Sequence, residues 1–217
     1  MTESRTILDK SHQFDGDASR LDSYYGDWAS TYDQDAHNLG YQGPHVMADL
    51  FARAVAKHLP GQEAVSVLDA GCGTGLVGPL LVARGATALD GFDLNHAMVT
   101  EASRTGAYRI LASGVNLDGG LREFAADTFD VTVCLGVFTT GHVRPSAVEG
   151  LLRVTRPGGL VLMTTSSRYL ADTPFTAHLE ALAADGHVHV RDCLPDHTYL
   201  GHQQAHYWTL QLPDGPR

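Results

Sequence analysis

Apolar residues change their spacing abruptly near residue 64 of this chain. Before that point Leu21, Tyr24, Tyr25, Trp28 and Tyr32 fall three to four residues apart, which predicts a short aromatic helix over 19–32. A second helix is predicted over 44–59, with Val46, Leu50, Phe51, Ala54, Val55 and Leu59 on one face. Pro44 suits its first turn and Pro60-Gly61 its end. After residue 64, short apolar runs alternate with helical segments. Strands are predicted near 65–69, 88–93, 108–112, 129–135, 159–165, 187–193 and 205–211, and helices near 76–84, 95–104, 145–154 and 173–184. The runs Phe129 to Leu135 and Leu160 to Met163 have the look of strands covered on both faces. Such alternation predicts an α/β fold built on a doubly wound, seven-stranded, mostly parallel sheet. The last two strands are joined by a loop with Pro195 and no helix, so an antiparallel C-terminal edge hairpin is expected. The expected organisation is a flexible tail over 1–20, an N-terminal helical cap or lid over 21–62, and a core over 63–217.

Composition narrows the function classes. Of 217 residues, 43% are hydrophobic and 18% charged, as in ordinary globular proteins. No stretch approaches the ~20 apolar residues of a membrane span, and Met1 to Ser23 lacks the apolar core of a signal peptide. Lys+Arg number 15 against 25 Asp+Glu, a formal charge of -10, with no basic run, which disfavours a nucleic-acid partner. Cys72, Cys134 and Cys193 make neither a disulfide framework nor a zinc pattern, so a reducing cytoplasmic location is expected. His187, His189, His197, His202 and His206 cluster loosely without a supporting carboxylate pattern, and no metal is expected.

The strongest chemical signal is Val67-Leu68-Asp69-Ala70-Gly71-Cys72-Gly73-Thr74-Gly75: a strand ending in an acid, then three glycines at alternate positions, then a helix. Glycines there let the backbone turn tightly and approach a ligand. Gly73 to Gly78 formally matches the dinucleotide fingerprint GxGxxG, a weak signal alone. In the other register the strand ends at Asp69, where a carboxylate attracts an ammonium and repels a pyrophosphate. That register favours a ligand with a cationic amino-acid end. The next strand closes on Asp93, 18 residues after Gly75. An acid at that tip takes the two hydroxyls of a ribose; the alternative is that Asp93 caps the helix starting near Asn95.

LDAGCGTG, GFDLN, FDVTVCLGVF and LLRVTRPGGLVLMTT together resemble the successive motifs of class I S-adenosylmethionine-dependent methyltransferases, over about residues 45–165. YGDWASTYD at 25–33, with Leu39-Gly40-Tyr41, also resembles the methyltransferase-like proteins of the Williams–Beuren chromosomal region and their bacterial relatives. The resemblance implies a Rossmann-like core and S-adenosyl-L-methionine as cofactor. It implies that Asp69, Gly71 and Gly73, with Cys72 in the same turn, meet the methionine end, and that Asp93 holds the ribose while Leu94 packs on the adenine. It assigns Leu117 and Asp118 to the adenine edge, Leu135 and Gly136 to the floor beneath the reactive methyl, and Arg156 to Gly159 to a structural turn.

Methyl transfer from a sulfonium needs chiefly positioning and exclusion of water. A base is needed only where the acceptor is protonated, and the sequence shows no catalytic triad. Tyr24, Tyr25, Trp28 and Tyr32 are candidates for a lid, with Tyr24 and Tyr32 the pocket candidates and Trp28 a packing residue. His142 follows the fourth strand, where substrates bind in such sheets, and is the candidate base. Tyr169, after the fifth strand, is a further pocket candidate. The expected function is methyl transfer to a small-molecule metabolite by a monomer or homodimer, with no nucleic-acid or membrane partner. One alternative is an enzyme that consumes S-adenosylmethionine itself, its amine closing an azetidine ring as methylthioadenosine leaves. The other is a non-catalytic binder of the same cofactor.

Overall fold

The computed structural model describes residues 17–215; most of the tail expected over 1–20 lies outside them. Seven strands form one sheet: β1 Ser66–Ala70, β2 Ala88–Asp93, β3 Ile110–Ser113, β4 Phe129–Phe138, β5 Thr155–Ser166, β6 His189–Leu200 and β7 Gln203–Gln211. Their order is β3-β2-β1-β4-β5-β7-β6. β1 to β5 pair in parallel, and β7 runs antiparallel to both β5 and β6. The expected sheet and its C-terminal hairpin are therefore present, but Pro195 lies inside β6, at a register shift between Leu194 and His197, and Gly201-His202 make the turn.

Side-chain alternation divides the interior into two cores. Val67, Val131, Val133, Leu160 and Leu162 face one side, and Leu68, Cys134, Val161 and Met163 the other. The first side is covered by α3 Gly43–His58 and α4 Gly78–Ala83, through Met47, Phe51 and Leu81. The second is covered by α6 Val148–Val154, α7 Ser167–Asp172 and α8 Phe175–Ala184, through Leu151, Tyr169 and Phe175. Strands that bury both faces need apolar residues at every position, which is the pattern seen in β4 and β5. The polar exceptions pair internally: Thr132 and Thr155 share a hydrogen bond at 2.7 Å, and the Trp208 indole donates to Thr165 at 2.9 Å.

Four local readings change. The single aromatic helix over 19–32 is two, α1 Ala18–Trp28 and α2 Tyr32–Asn38, separated by a turn closed by Thr31 N–H to Trp28 C=O at 3.0 Å. The helix expected to start at 145 opens as a 3-10 turn over Pro145–Ala147. α7 was not foreseen; Ser166 caps it by accepting from the Tyr169 amide. β3 begins at Ile110, which leaves Tyr108 in the loop after α5 His96–Arg104. Among the described residues no helix is long and apolar enough to cross a membrane.

Candidate functional site

Sheet order reverses between β1 and β4, and the crevice above such a switch point is where ligands bind in open α/β sheets. The turn after β1 lies there. Gly71, Gly73 and Gly75 all have positive φ, at 75°, 53° and 85°, a region that penalises any Cβ. A Cβ at Gly73 would meet no protein atom within 4 Å; the turn is open on that side. Gly71 and Cys72 both donate their amides to the Phe92 carbonyl, which locks the turn to the end of β2.

Two carboxylates flank this turn. Asp69 is buried; its Oδ2 accepts from the Tyr108 hydroxyl at 2.7 Å, and its Oδ1 is buried with no partner. Burial pushes its pKa up to about 7, against the Tyr108 hydrogen bond, which pulls it down. Asp93 Oδ2 accepts from the Gly73 amide and Oδ1 from the Asn95 amide, each at 2.9 Å. Burial raises its pKa too, and the backbone donors oppose that. The cap of α5 is Asn95, whose side chain accepts from the Met98 amide, so Asp93 is not needed for capping.

The first two helices dock over this crevice. Thr74 donates to Asp33 of α2 at 2.5 Å, and the Asn95 amide group donates to the Asp22 carbonyl and carboxylate of α1 at 2.6 and 2.7 Å. Beneath them is a cavity of about 160 Å³ lined by Gly73, Asp93, Leu94, Leu117, Leu135 and Gly136, among others. A smaller pocket of about 60 Å³ joins it at Gly71 and Gly73 and reaches Asp69 and Cys72. A chamber of about 300 Å³ opens on the other side, toward Ser167, Arg168 and Gln204. Tyr25, Tyr32, Tyr41, Gly136, His142 and Tyr199 line both the first cavity and the chamber.

His142 stands at that junction. Its Nδ1 lies 3.2 Å from the Thr140 carbonyl and 2.8 Å from the Thr139 hydroxyl. A carbonyl only accepts, so Nδ1 carries the hydrogen and Nε2 is left as an acceptor. Nε2 meets the Tyr25 hydroxyl at 3.0 Å. Burial pushes the phenols of Tyr32, Tyr41 and Tyr199 well above their ordinary range. They stay protonated and do not act as bases.

The residues named from sequence distribute as follows. Asp69, Gly71, Cys72, Gly73, Asp93, Leu94, Leu117, Leu135, Tyr32 and His142 all line the connected cavities. Tyr24 lines none of them; it packs edge-on against Tyr25, its neighbour, which takes that position. Asp118 turns away, accepting from the Arg144 amide at 3.1 Å and facing its guanidinium at 3.5 Å, while Asn116 faces the cavity. Trp28 is buried and donates to Asp35, a packing role. Tyr169 is in the second core with its hydroxyl on the Val143 carbonyl, which removes it from the pocket. Tyr25 stood in the aromatic cluster but was not singled out. Tyr41, Tyr108 and Tyr199 were missed, and only the Leu39-Gly40-Tyr41 sequence carried a signal for any of them.

Residues 67–159 match the family described as a methyltransferase domain. The chain carries a methyltransferase domain over those residues. It is 35% identical over 166 residues to human methyltransferase-like protein 27, covering 76% of this chain and 65% of that protein. It is 33% identical over 144 residues to the tRNA (carboxymethyluridine(34)-5-O)-methyltransferase of Arabidopsis thaliana, covering 65% and 34%. The chain thus spans less than two thirds of either relative. Magnesium protoporphyrin IX methyltransferase from Synechocystis PCC 6803, solved with bound S-adenosylmethionine, superposes with a TM-score of 0.59 over 98% of each chain at 15% identity. That likeness extends the methyltransferase fold through the N-terminal helices and the C-terminal hairpin.

The domain's residues fit its cofactor chemically. A buried carboxylate oxygen without a partner suits an ammonium, and an open turn of positive-φ glycines admits a ligand where a side chain would intrude.

Proposed function

We propose that the protein is a methyltransferase that uses S-adenosylmethionine to methylate a hydroxyl on a small molecule. The observation that carries this reading is the pair of chambers meeting at His142, one above the glycine turn and one opening past Arg168. In this reading Asp69 faces the ammonium, Asp93 the ribose hydroxyls, and Leu94 and Leu117 the adenine. S-adenosylmethionine supplies an electrophilic methyl group when bound. The acceptor's hydroxyl proton passes to His142 Nε2 while Thr140 and Thr139 hold the imidazole in the tautomer that can receive it. The helices α1 and α2 act as the cap: Tyr25 and Tyr32 wall off water above the reacting atoms.

The acidic charge of the chain, and Arg168 as the single Lys or Arg among the described residues that line the chamber, favour a small acceptor over a polyanion. That cation, Arg168, lies 3.4 Å from Asp172. A phosphate backbone would need several cations there.

The test is product analysis by mass spectrometry, with S-adenosylmethionine and a panel of small phenols, enols and alcohols. S-adenosylhomocysteine together with a methylated acceptor is expected. Methylthioadenosine formed without any acceptor would instead mean that the cofactor itself is consumed, and binding without turnover would mean a non-catalytic binder.

Replacing Asp93 tests the cofactor half. Asp93→Ala removes up to two charge-assisted hydrogen bonds, worth about 1.5–3 kcal/mol each. Affinity for S-adenosylhomocysteine by calorimetry is expected to fall about ten- to a hundredfold in a protein with unchanged circular dichroism. An unchanged affinity would reduce Asp93 to a support for the turn.

A further inference from the structure

The glycines that formally spell a dinucleotide fingerprint have an occupant of their own. Tyr108, in the loop before β3, lies against two of them, Gly75 and Gly78, and against Gly91 of β2. A Cβ at Gly78 would come within 2.7 Å of its ring, at Gly91 within 2.8 Å, and at Gly75 within 3.1 Å. No residue larger than glycine fits under this ring without displacing it. The ring fills that space, and its hydroxyl reaches through to Asp69 Oδ2 at 2.7 Å while also hydrogen-bonding the Gly78 backbone. Asp69 Oδ1 is left buried and without a partner. One oxygen of the carboxylate is committed and the other is buried without a partner, and Asp69 lines the pocket that also holds Gly71 and Gly73.

Resting on the reading that Asp69 meets the ammonium of S-adenosylmethionine, we propose that Tyr108 is a positioning residue for the cofactor's amino-acid end. By holding Oδ2, it fixes the carboxylate plane and leaves Oδ1 for the ammonium. The titratable groups that face Asp69 are Tyr108, Asp93, Cys72 and Cys134. Burial keeps both thiols protonated, and Asp93 is a like charge that works against ionisation. Tyr108 is the member of this set that stabilises the charged carboxylate, because its hydroxyl donates to the ionised form. Three glycines, a tyrosine and an aspartate thus form one unit for presenting a single oxygen atom.

Tyr108→Phe keeps the ring on the glycines and removes only the hydroxyl. Two ligands read the result by calorimetry at pH 6, 7 and 8.5: S-adenosylhomocysteine, which carries the ammonium, and methylthioadenosine, which lacks it. The expected result at pH 7 is about a tenfold loss for S-adenosylhomocysteine, a smaller loss at pH 8.5, and methylthioadenosine unchanged within about twofold. In an Asp69→Asn background the same substitution should add little, since both changes act on one contact. Equal loss of both ligands would overturn the proposal and leave Tyr108 a packing residue, as would unchanged S-adenosylhomocysteine affinity. Failure of the wild type to bind S-adenosylhomocysteine would instead strike the cofactor reading beneath it.

Discussion

Asp69→Asn should all but abolish cofactor binding while making the unliganded protein more stable. The two effects share one cause. Asp69 is buried, with one oxygen unpartnered. Removing one partner of a buried ion pair costs about 3–5 kcal/mol, so affinity for S-adenosylhomocysteine is expected to fall about a hundredfold or more. Without ligand the same carboxylate is a burden. Its folded pKa, pushed up to about 7, lies above the unfolded value. The folded protein therefore holds more protons than the unfolded one between about pH 4 and 7, and stability declines as pH rises through that window. At about 1.4 kcal/mol per unit the upper limit of the cost is on the order of 4 kcal/mol above pH 7, of which the unpaired amide of asparagine returns a part. Thermal unfolding without ligand should show Asp69→Asn melting a few degrees above wild type at pH 8 and level with it at pH 4. In the wild type, S-adenosylhomocysteine binding should tighten from pH 6 to 8. A variant that binds normally, or that melts below wild type at pH 8, would contradict this account.

The second large effect is on turnover. His142→Gln keeps a polar side chain beside Tyr25 and Thr139 but cannot accept a proton. Positioned bases contribute about 10²–10⁴-fold, and kcat with a hydroxyl acceptor is expected to fall by that range. Affinity for S-adenosylhomocysteine should change by no more than about threefold. Tyr25→Phe should cost far less, because it frees Nε2 of its hydroxyl neighbour without removing the base. If His142→Gln turns over like wild type, the imidazole only orders the loop after β4.

The reading from sequence succeeded where chemistry is local. The two-sided burial of β4 and β5 is written in their mostly apolar runs, and the turn after β1 in its alternate glycines. Of the two roles read for Asp93, the helix cap falls to Asn95, and the ribose contact is the role proposed for it. The reading failed where neighbours or distant segments decide. Helical period alone cannot choose between Tyr24 and Tyr25, adjacent positions on one face of α1; the choice is made by His142, which is 117 residues away. The break between α1 and α2 has no glycine or proline to announce it. Asp118 carried the right residue type, but Arg144 drew it aside. Tyr108 was taken for the start of a strand, because nothing local shows that three glycines are hollowed out to receive it.

The walls of the outer chamber are stitched together by contacts between residues far apart in the chain. Tyr41 and Tyr199 share a hydrogen bond across 158 positions, and the Gln42 amide donates to the Tyr199 carbonyl at 2.8 Å. Closing loops of that length costs chain entropy that the contacts must repay. Tyr199 also belongs to the core under α3, and Tyr41 packs against it. Reshaping the outer chamber at either ring therefore draws on the stability of the scaffold as well as on the form of the pocket.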